Sequence, residues 1–161
     1  MKPRRSHGPG IDGYTMIELV VVLTILGVLA ATVGPRFFSQ STFNDRGYAD
    51  ELASALRATA QAAVASGCAA RLTLTATGYS AAQQAASGNA CNTSDTTWST
   101  PVLSADGTAL SDTAPSGESA TPTGVYAFSD TGGLSSEPGT TITVGTRTIS
   151  IDAVTGLVLV Q

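Results

Sequence analysis

The chain has 161 residues, of which 42% are apolar, 12% charged and 6% aromatic, and its formal net charge is −4. Charged residues make up about 25% of an ordinary soluble domain, so this shortage argues against a disordered acidic tail and against a basic nucleic-acid binder. The apolar residues are unevenly spread: Leu19 to Val33 contains no charge, whereas Asn92 to Ser119 is mostly Ser, Thr, Ala and Gly.

Residues 1–13 carry Lys2, Arg4 and Arg5 against Asp12 alone, and Gly8, Pro9 and Gly10 work against a helix there. The apolar stretch begins at once. Tyr14 to Gly34 is 21 residues, and as a helix it spans about 31 Å at roughly 1.5 Å per residue, matching a hydrocarbon core of about 30 Å. Positive charge on its N-terminal flank keeps that end in the cytoplasm and places everything after Pro35 beyond the inner membrane. Pattern alone leaves open a secretory signal and a plain signal anchor. The first lacks an A-x-A triplet near Ala30, and neither explains Glu18 inside the apolar run. A carboxylate costs about 2.5–3.5 kcal/mol at the centre of a membrane helix and less near its end, so Glu18 is a functional candidate.

The run Gly13-Tyr14-Thr15-Met16-Ile17-Glu18 resembles the class III leader of type IV pilins and type II secretion pseudopilins. The resemblance implies that prepilin peptidase cuts between Gly13 and Tyr14 on the cytoplasmic face and methylates the new amine of Tyr14. Glu18 becomes the fifth residue of the mature chain, where the family keeps a glutamate. Pro35 becomes the twenty-second, where the family often has a helix-loosening proline. Tyr14 departs from the usual phenylalanine but retains an aromatic ring. Physically, cleavage leaves an ammonium at Tyr14 one helical turn from Glu18. In a packed filament the Glu18 carboxylate could meet the amine of a neighbouring subunit, removing two desolvation penalties together. The alternative is that Glu18 only marks the membrane edge and snorkels toward water. Pro35 lacks the amide that would bond the carbonyl of Ala31, so with Gly34 it is expected to kink or melt the helix. Gly27, Ala30, Ala31 and Gly34 either let neighbouring helices approach closely or are ordinary membrane-helix composition.

Residues 35–67 read as an amphipathic helical segment. Leu52, Leu56, Ala60, Ala63 and Val64 fall at helical spacing, while Asp50, Arg57 and Gln61 lie off that stripe. Asp50 and Glu51 suit a helix start and Gly67 a stop, which predicts a helix from Asp45 or Gly47 to Ser66. It is either continuous with the first helix or separated from it by a break near Ser39–Asp45. Its stripe is expected to pack on a β domain spanning 68–161.

From Arg71 the period changes to two. Leu72, Leu74 and Ala76 alternate with threonines, and Gly78 is expected to turn the chain between two strands. Further strands are expected at 125–128, 141–144, 147–151 and 157–160, with connections at 145–146 and 152–156. Long Ser/Thr-rich surface loops, with one short strand near Thr100–Leu103, are expected over 93–123. The fold class is therefore α+β: a long N-terminal helix, membrane-spanning in its first half and amphipathic in its second, packed on a C-terminal antiparallel sheet in the manner of pilins. Cys68 and Cys91 flank the first hairpin. Beyond the membrane they are expected to be bridged, closing a loop worth about 3 kcal/mol on the chain-entropy model; two buried thiols are the alternative. Neither cysteine has a second ligand at metal-binding spacing.

The helix end A-V-A-S-G-C, the T-G-Y of the strand pair and the second cysteine resemble minor pilins of the mannose-sensitive haemagglutinin type. They also look like the H-type pseudopilins, which include fimbrial T-like proteins. The closing stretch TRTISIDAVTGLVLV is similar to the terminal strands of that family. It lacks the G-R-x-R pattern of DNA-binding members, the nearest match being Gly145-Thr146-Arg147-Thr148, so DNA uptake is disfavoured. The lone histidine, His7, lies in the leader, which leaves no imidazole for a nucleophile–base pair. Asp95, Asp106, Asp112, Glu118, Asp130 and Glu137 are scattered singly and read as solvated loop charges. No catalytic residue, metal site or cofactor is expected. The implied partners are other pilin or pseudopilin subunits, prepilin peptidase and the inner-membrane assembly platform. The implied function is a minor pseudopilin or minor pilin that helps assemble or prime a type II secretion pseudopilus or a type IV pilus; the alternative is a tip-displayed adhesin or DNA-binding minor pilin. Without residues 1–13 the chain keeps five Arg, no Lys and eleven acids, a net charge of −6.

Overall fold

The computed structural model describes residues 15–37, 40–87 and 90–161, and the side chains of these outside 31–42. The chain divides into two compact units, Met1–Ser39 and Gln40–Gln161.

The first unit holds helix α1, Met16–Phe37. Its start is set by Thr15, whose hydroxyl accepts the amide of Glu18 at 3.3 Å. Thr15 is thus an N-cap satisfying one of the donors a helix leaves orphaned in its first turn. Thr24 is the one polar side chain between Leu19 and Leu29. It returns its hydroxyl hydrogen to the Val21 carbonyl at 2.8 Å, so the apolar run presents no unsatisfied donor there. Pro35 lies inside α1, two residues before its end.

The second unit begins with α2, Gln40–Ser66, which starts earlier than the sequence pattern predicts. It ends as expected: Gly67 has φ +64, the left-handed conformation that glycine adopts at least cost after a helix. Tyr48, Ala49, Leu52, Ala53, Leu56 and Ala63 are buried along one face, and Asp50, Arg57 and Gln61 are exposed. Val64 departs from the expected stripe and is exposed, because the face that packs on the sheets runs through Ala60 and Ala63.

The strands that follow are β1 (Ala70–Thr75), β2 (Gly78–Gln83), β3 (Ala86–Ser87), β4 (Ala90–Cys91), β5 (Thr100–Pro101), β6 (Ser111–Thr113), β7 (Ala120–Thr121), β8 (Gly124–Phe128), β9 (Leu134–Ser136), β10 (Thr141–Val144), β11 (Arg147–Ile151) and β12 (Val158–Val160). Among the described residues they form not one sheet but a six-stranded sheet, a four-stranded sheet and a two-stranded hairpin, all with antiparallel pairing. The six-stranded sheet runs β5-β2-β1-β8-β9, with β6 also paired to β2; the four-stranded sheet runs β12-β11-β10-β7. The segment expected to be mostly loop therefore supplies three short strands, β5, β6 and β7, besides the bridge between Leu103 and Ala109.

Alternation does the rest. Ala70, Leu72 and Leu74 of β1 point into the core, as do Ile142 and Val144 of β10 and Ile149 and Ile151 of β11. Together with Tyr126 and Phe128 of β8 and the buried face of α2 they make one hydrophobic cluster. The turn between β1 and β2 is Ala76-Thr77, and Gly78 opens β2 rather than turning the chain. Its backbone sits at φ +151, and a Cβ there would collide with the carbonyl of Asp112, so glycine is needed for the close approach of β6. Strand β12 lies at a sheet edge. Its outward carbonyl at Val158 is taken by the Arg57 guanidinium, through Nε at 3.1 Å and NH2 at 2.8 Å.

Candidate functional site

The expected cleavage residues Gly13 and Tyr14 lie outside the described residues. Glu18 is described: it is exposed, three residues after the capping threonine. The pair Thr15-x-x-Glu18 is the sequence signature of a capping box, a signal that a reading centred on charge in the membrane passes over. At this position a carboxylate also faces the positive end of the helix dipole. Glu18 thus has a local reason to be acidic in addition to any intermolecular one.

Beyond Glu18, the part of α1 whose side chains are described, to Ala30, has no polar face to turn to water. Leu19, Val20, Val21, Val22, Leu23, Ile25 and Leu26 are all between 45% and 59% exposed, so the side chains are open all round the axis. A helix apolar on every side is one meant to be covered by lipid or by other apolar helices. The expected membrane span over Tyr14–Gly34 runs past the described side chains at both ends. Among the described residues no helix is long and apolar enough to cross a membrane.

Cys68 and Cys91 form a disulfide with Cα atoms 5.3 Å apart, fastening the β3–β4 hairpin to the end of α2. Nearby, Asp95 accepts the amides of Ala85, Thr97 and Trp98, and these bonds with the Thr97 hydroxyl pull its carboxyl down to about 2. The Arg71 guanidinium lies over the Trp98 ring, 4.9 Å from its centre. Asp106 is held at about 2 by the hydroxyls of Ser104 and Thr108 and the Thr108 amide. Asp152 is lowered by the amide and hydroxyl of Thr155 and the Val154 amide. These three acids pin their own loops.

Asp112 and Glu118 do not behave as isolated loop charges. Asp112 faces Glu51 of α2, and the Glu118 carboxyl is raised by hydrogen bonding to the buried Asp45, then by burial and by the Asp45 charge. The sequence could not pair them, since each partner is separated by some sixty or more positions and no local pattern links them. Among the described residues no three His, Cys, Asp or Glu side chains gather as a metal cluster.

Residues 11–34 match the family model of the prokaryotic N-terminal methylation motif. That match supports a protein like the type IV pilins and pseudopilins, and it covers Gly13, Tyr14 and Glu18 in a single segment. No curated protein and no solved structure matches the chain.

Proposed function

We propose that the chain is a minor pseudopilin or minor pilin of the H type, a filament subunit without enzymatic activity. In this reading prepilin peptidase cleaves it between Gly13 and Tyr14 and methylates Tyr14. Residues 14–34 anchor it once across the inner membrane, with the N-terminus cytoplasmic and the β domain periplasmic, until the assembly platform passes it to a type II secretion pseudopilus or a type IV pilus. The reading rests on one observation: the methylation motif is followed in register by Glu18 and by a helix whose apolar side chains are uncovered on every side. Such a helix requires an apolar surrounding both before and after assembly, which a bilayer and a bundle of like helices supply in turn. Glu18 would pair with the amine of a neighbouring subunit, and Pro35 would loosen the end of α1. The acidic outer unit, without Lys or Arg between Arg71 and Arg147, is a poor match for nucleic acid.

Mass spectrometry of the mature protein should find N-methylated Tyr14 at its start; any other N-terminus overturns the assignment. Glu18→Ala and Glu18→Gln should both insert in the membrane and both fail to enter filaments. Gln preserves the capping geometry but not the charge, so normal assembly of Glu18→Gln would show that Glu18 acts only on its own helix.

A further inference from the structure

The outward face of α2 carries an apolar knob at one end and an apolar hole at the other. Phe43, in the first turn of the helix, is 80% exposed, and Val64, two residues before its end, is 55% exposed. Beside Val64 opens a groove of about 680 Å³, walled by Ala60, Val64 and Ala65 of α2 on one side and by Gly132, Leu157 and Val158 on the other. Gly132 keeps it open, since a Cβ there would stand 3.1 Å from Val64 Cγ2. Further apolar surface gathers at the same end of the unit, where Val154, Leu157 and Leu159 are between 49% and 84% exposed. A contiguous apolar patch on an otherwise polar unit marks a contact surface.

Helix geometry places knob and hole on one side. Phe43 and Gln61 are about five whole turns apart and point the same way. Asp50, Ser54 and Arg57 lie within about 40° of that direction, and Arg46 and Val64 within about 60°. All of them are exposed. Phe43 and Val64 are separated by about 31 Å along the axis, so Phe43 cannot reach the groove of its own chain. The same face holds charges of both signs that nothing in the chain neutralises. Among the described residues neither Asp50 nor Arg57 enters an ion pair, the Arg57 bonds going to the neutral carbonyl of Val158.

We infer that this face pairs with a second copy of the chain, antiparallel and about a two-fold axis. Laid against its own image in the reverse direction, the face is self-complementary. Phe43 meets the partner copy at Val64 and enters its groove, Asp50 meets Arg57, and Arg46 meets Gln61. The residue numbers of the three pairs share one sum, as a two-fold axis between antiparallel helices requires, and each contact is made twice. The axis falls between Ala53 and Ser54, where the exposed side chain is small and lets the helices approach. A parallel pairing would set Phe43 on Phe43 and Asp50 on Asp50, leaving both grooves empty and like charges opposed. The two seated rings supply the affinity, and the two ion pairs at the rim fix register and direction. Because α2 runs in opposite senses in the two copies, the pair goes beyond the filament reading and does not rest on it. A filament whose subunits run in one sense draws on the unpaired form.

The test uses the full chain in mild detergent. Its two cysteines are bridged to each other, so an introduced thiol is the only free one. Arg46→Cys, Ser54→Cys and Gln61→Cys are oxidised with copper phenanthroline, each alone and after mixing, and read on non-reducing gels. Ser54→Cys should cross-link by itself, because it lies at the axis. Arg46→Cys and Gln61→Cys should cross-link only when mixed with each other. In the Ser54→Cys background, Phe43→Ser should lower the yield about tenfold or more and Asp50→Arg severalfold, with the circular dichroism of both unchanged. Cross-linking of Arg46→Cys alone as readily as Ser54→Cys means a parallel association, such as one driven by α1, and overturns the inference. So does the absence of any cross-link, or a Ser54→Cys yield indifferent to Phe43→Ser. An unmethylated N-terminus would refute the filament reading and leave this result as it stands.

Discussion

The bond from Arg57 to the Val158 carbonyl joins residues 101 positions apart and is the polar tie between α2 and the edge strand β12. Antiparallel pairing turns alternate backbone groups outward. Leu157 and Gln161 bond toward β11 and its flanks, which leaves Val158 facing away from the sheet. Replacing Arg57 by Met keeps the packing of the stem and removes both donors. A hydrogen bond to a charged group contributes about 1.5–3 kcal/mol. Arg57 is solvent-exposed, so water takes over part of the carbonyl's demand and the loss should fall near the lower end, about 1.5–2 kcal/mol. For a unit of this size each kcal/mol shifts the melting temperature by about 3–5 °C, giving a drop of about 5–10 °C. The assay is thermal denaturation of the full chain in mild detergent, with hydrogen exchange at the amides of Leu159 and Gln161, which face β11 and its flank. Exchange there should accelerate while that of β1 keeps pace only with the global loss. Arg57→Lys, with a single point of donation, should recover part of the difference. A melting temperature and β12 exchange unchanged in Arg57→Met, within the roughly 0.5 kcal/mol of ordinary surface substitutions, would refute the reasoning.

Removing both cysteines as Cys68→Ser with Cys91→Ser opens a loop of sequence separation 23 and should cost about 3 kcal/mol on the chain-entropy model; dithiothreitol should lower the melting temperature of the native chain and leave that of the double variant unmoved. Stability should also depend on pH in two directions. Glu51 and Glu118 are raised above 4.5 in the folded protein, so their contribution is complete below that value and is lost as pH rises through their folded values. Asp95 and Asp106, near 2 against an ordinary 3.8, and Asp152, also lowered, contribute above 3.8 and lose that contribution as pH falls toward their folded values. The melting temperature should peak at about pH 4–5, and Glu51→Gln should flatten its fall on the alkaline side; a curve that Glu51→Gln leaves unaltered would sink this account.

Much of the fold was legible because the signals are local. The stripe Leu52, Leu56 and Ala63 and the stop at Gly67 gave α2, and alternation gave β8, β10, β11 and β12 within a residue. The misreadings share a cause. Val64 keeps helical spacing with the stripe yet is exposed, because only the packed sheets decide where a buried face ends. Gly78 looks like a turn residue but serves the approach of β6, a strand more than thirty residues further on. The cap at Thr15 was written in T-x-x-E and could have been read directly.

By itself the sequence determined what is continuous along the chain. It set the methylation motif at 11–34, the charge-free run behind Glu18, and the change of period from helix to strand at Arg71. These are one-dimensional patterns, and hydrophobic spacing encodes them without reference to distant residues. Tertiary structure alone decided the split into two larger sheets, the grip of Arg57 on β12, and the meeting of Asp112 with Glu51 and of Glu118 with Asp45. An acid in a loop looks the same in sequence whether it faces water or another acid. Its surroundings are fixed only when packing of the apolar core brings α2 against strands sixty residues and more away.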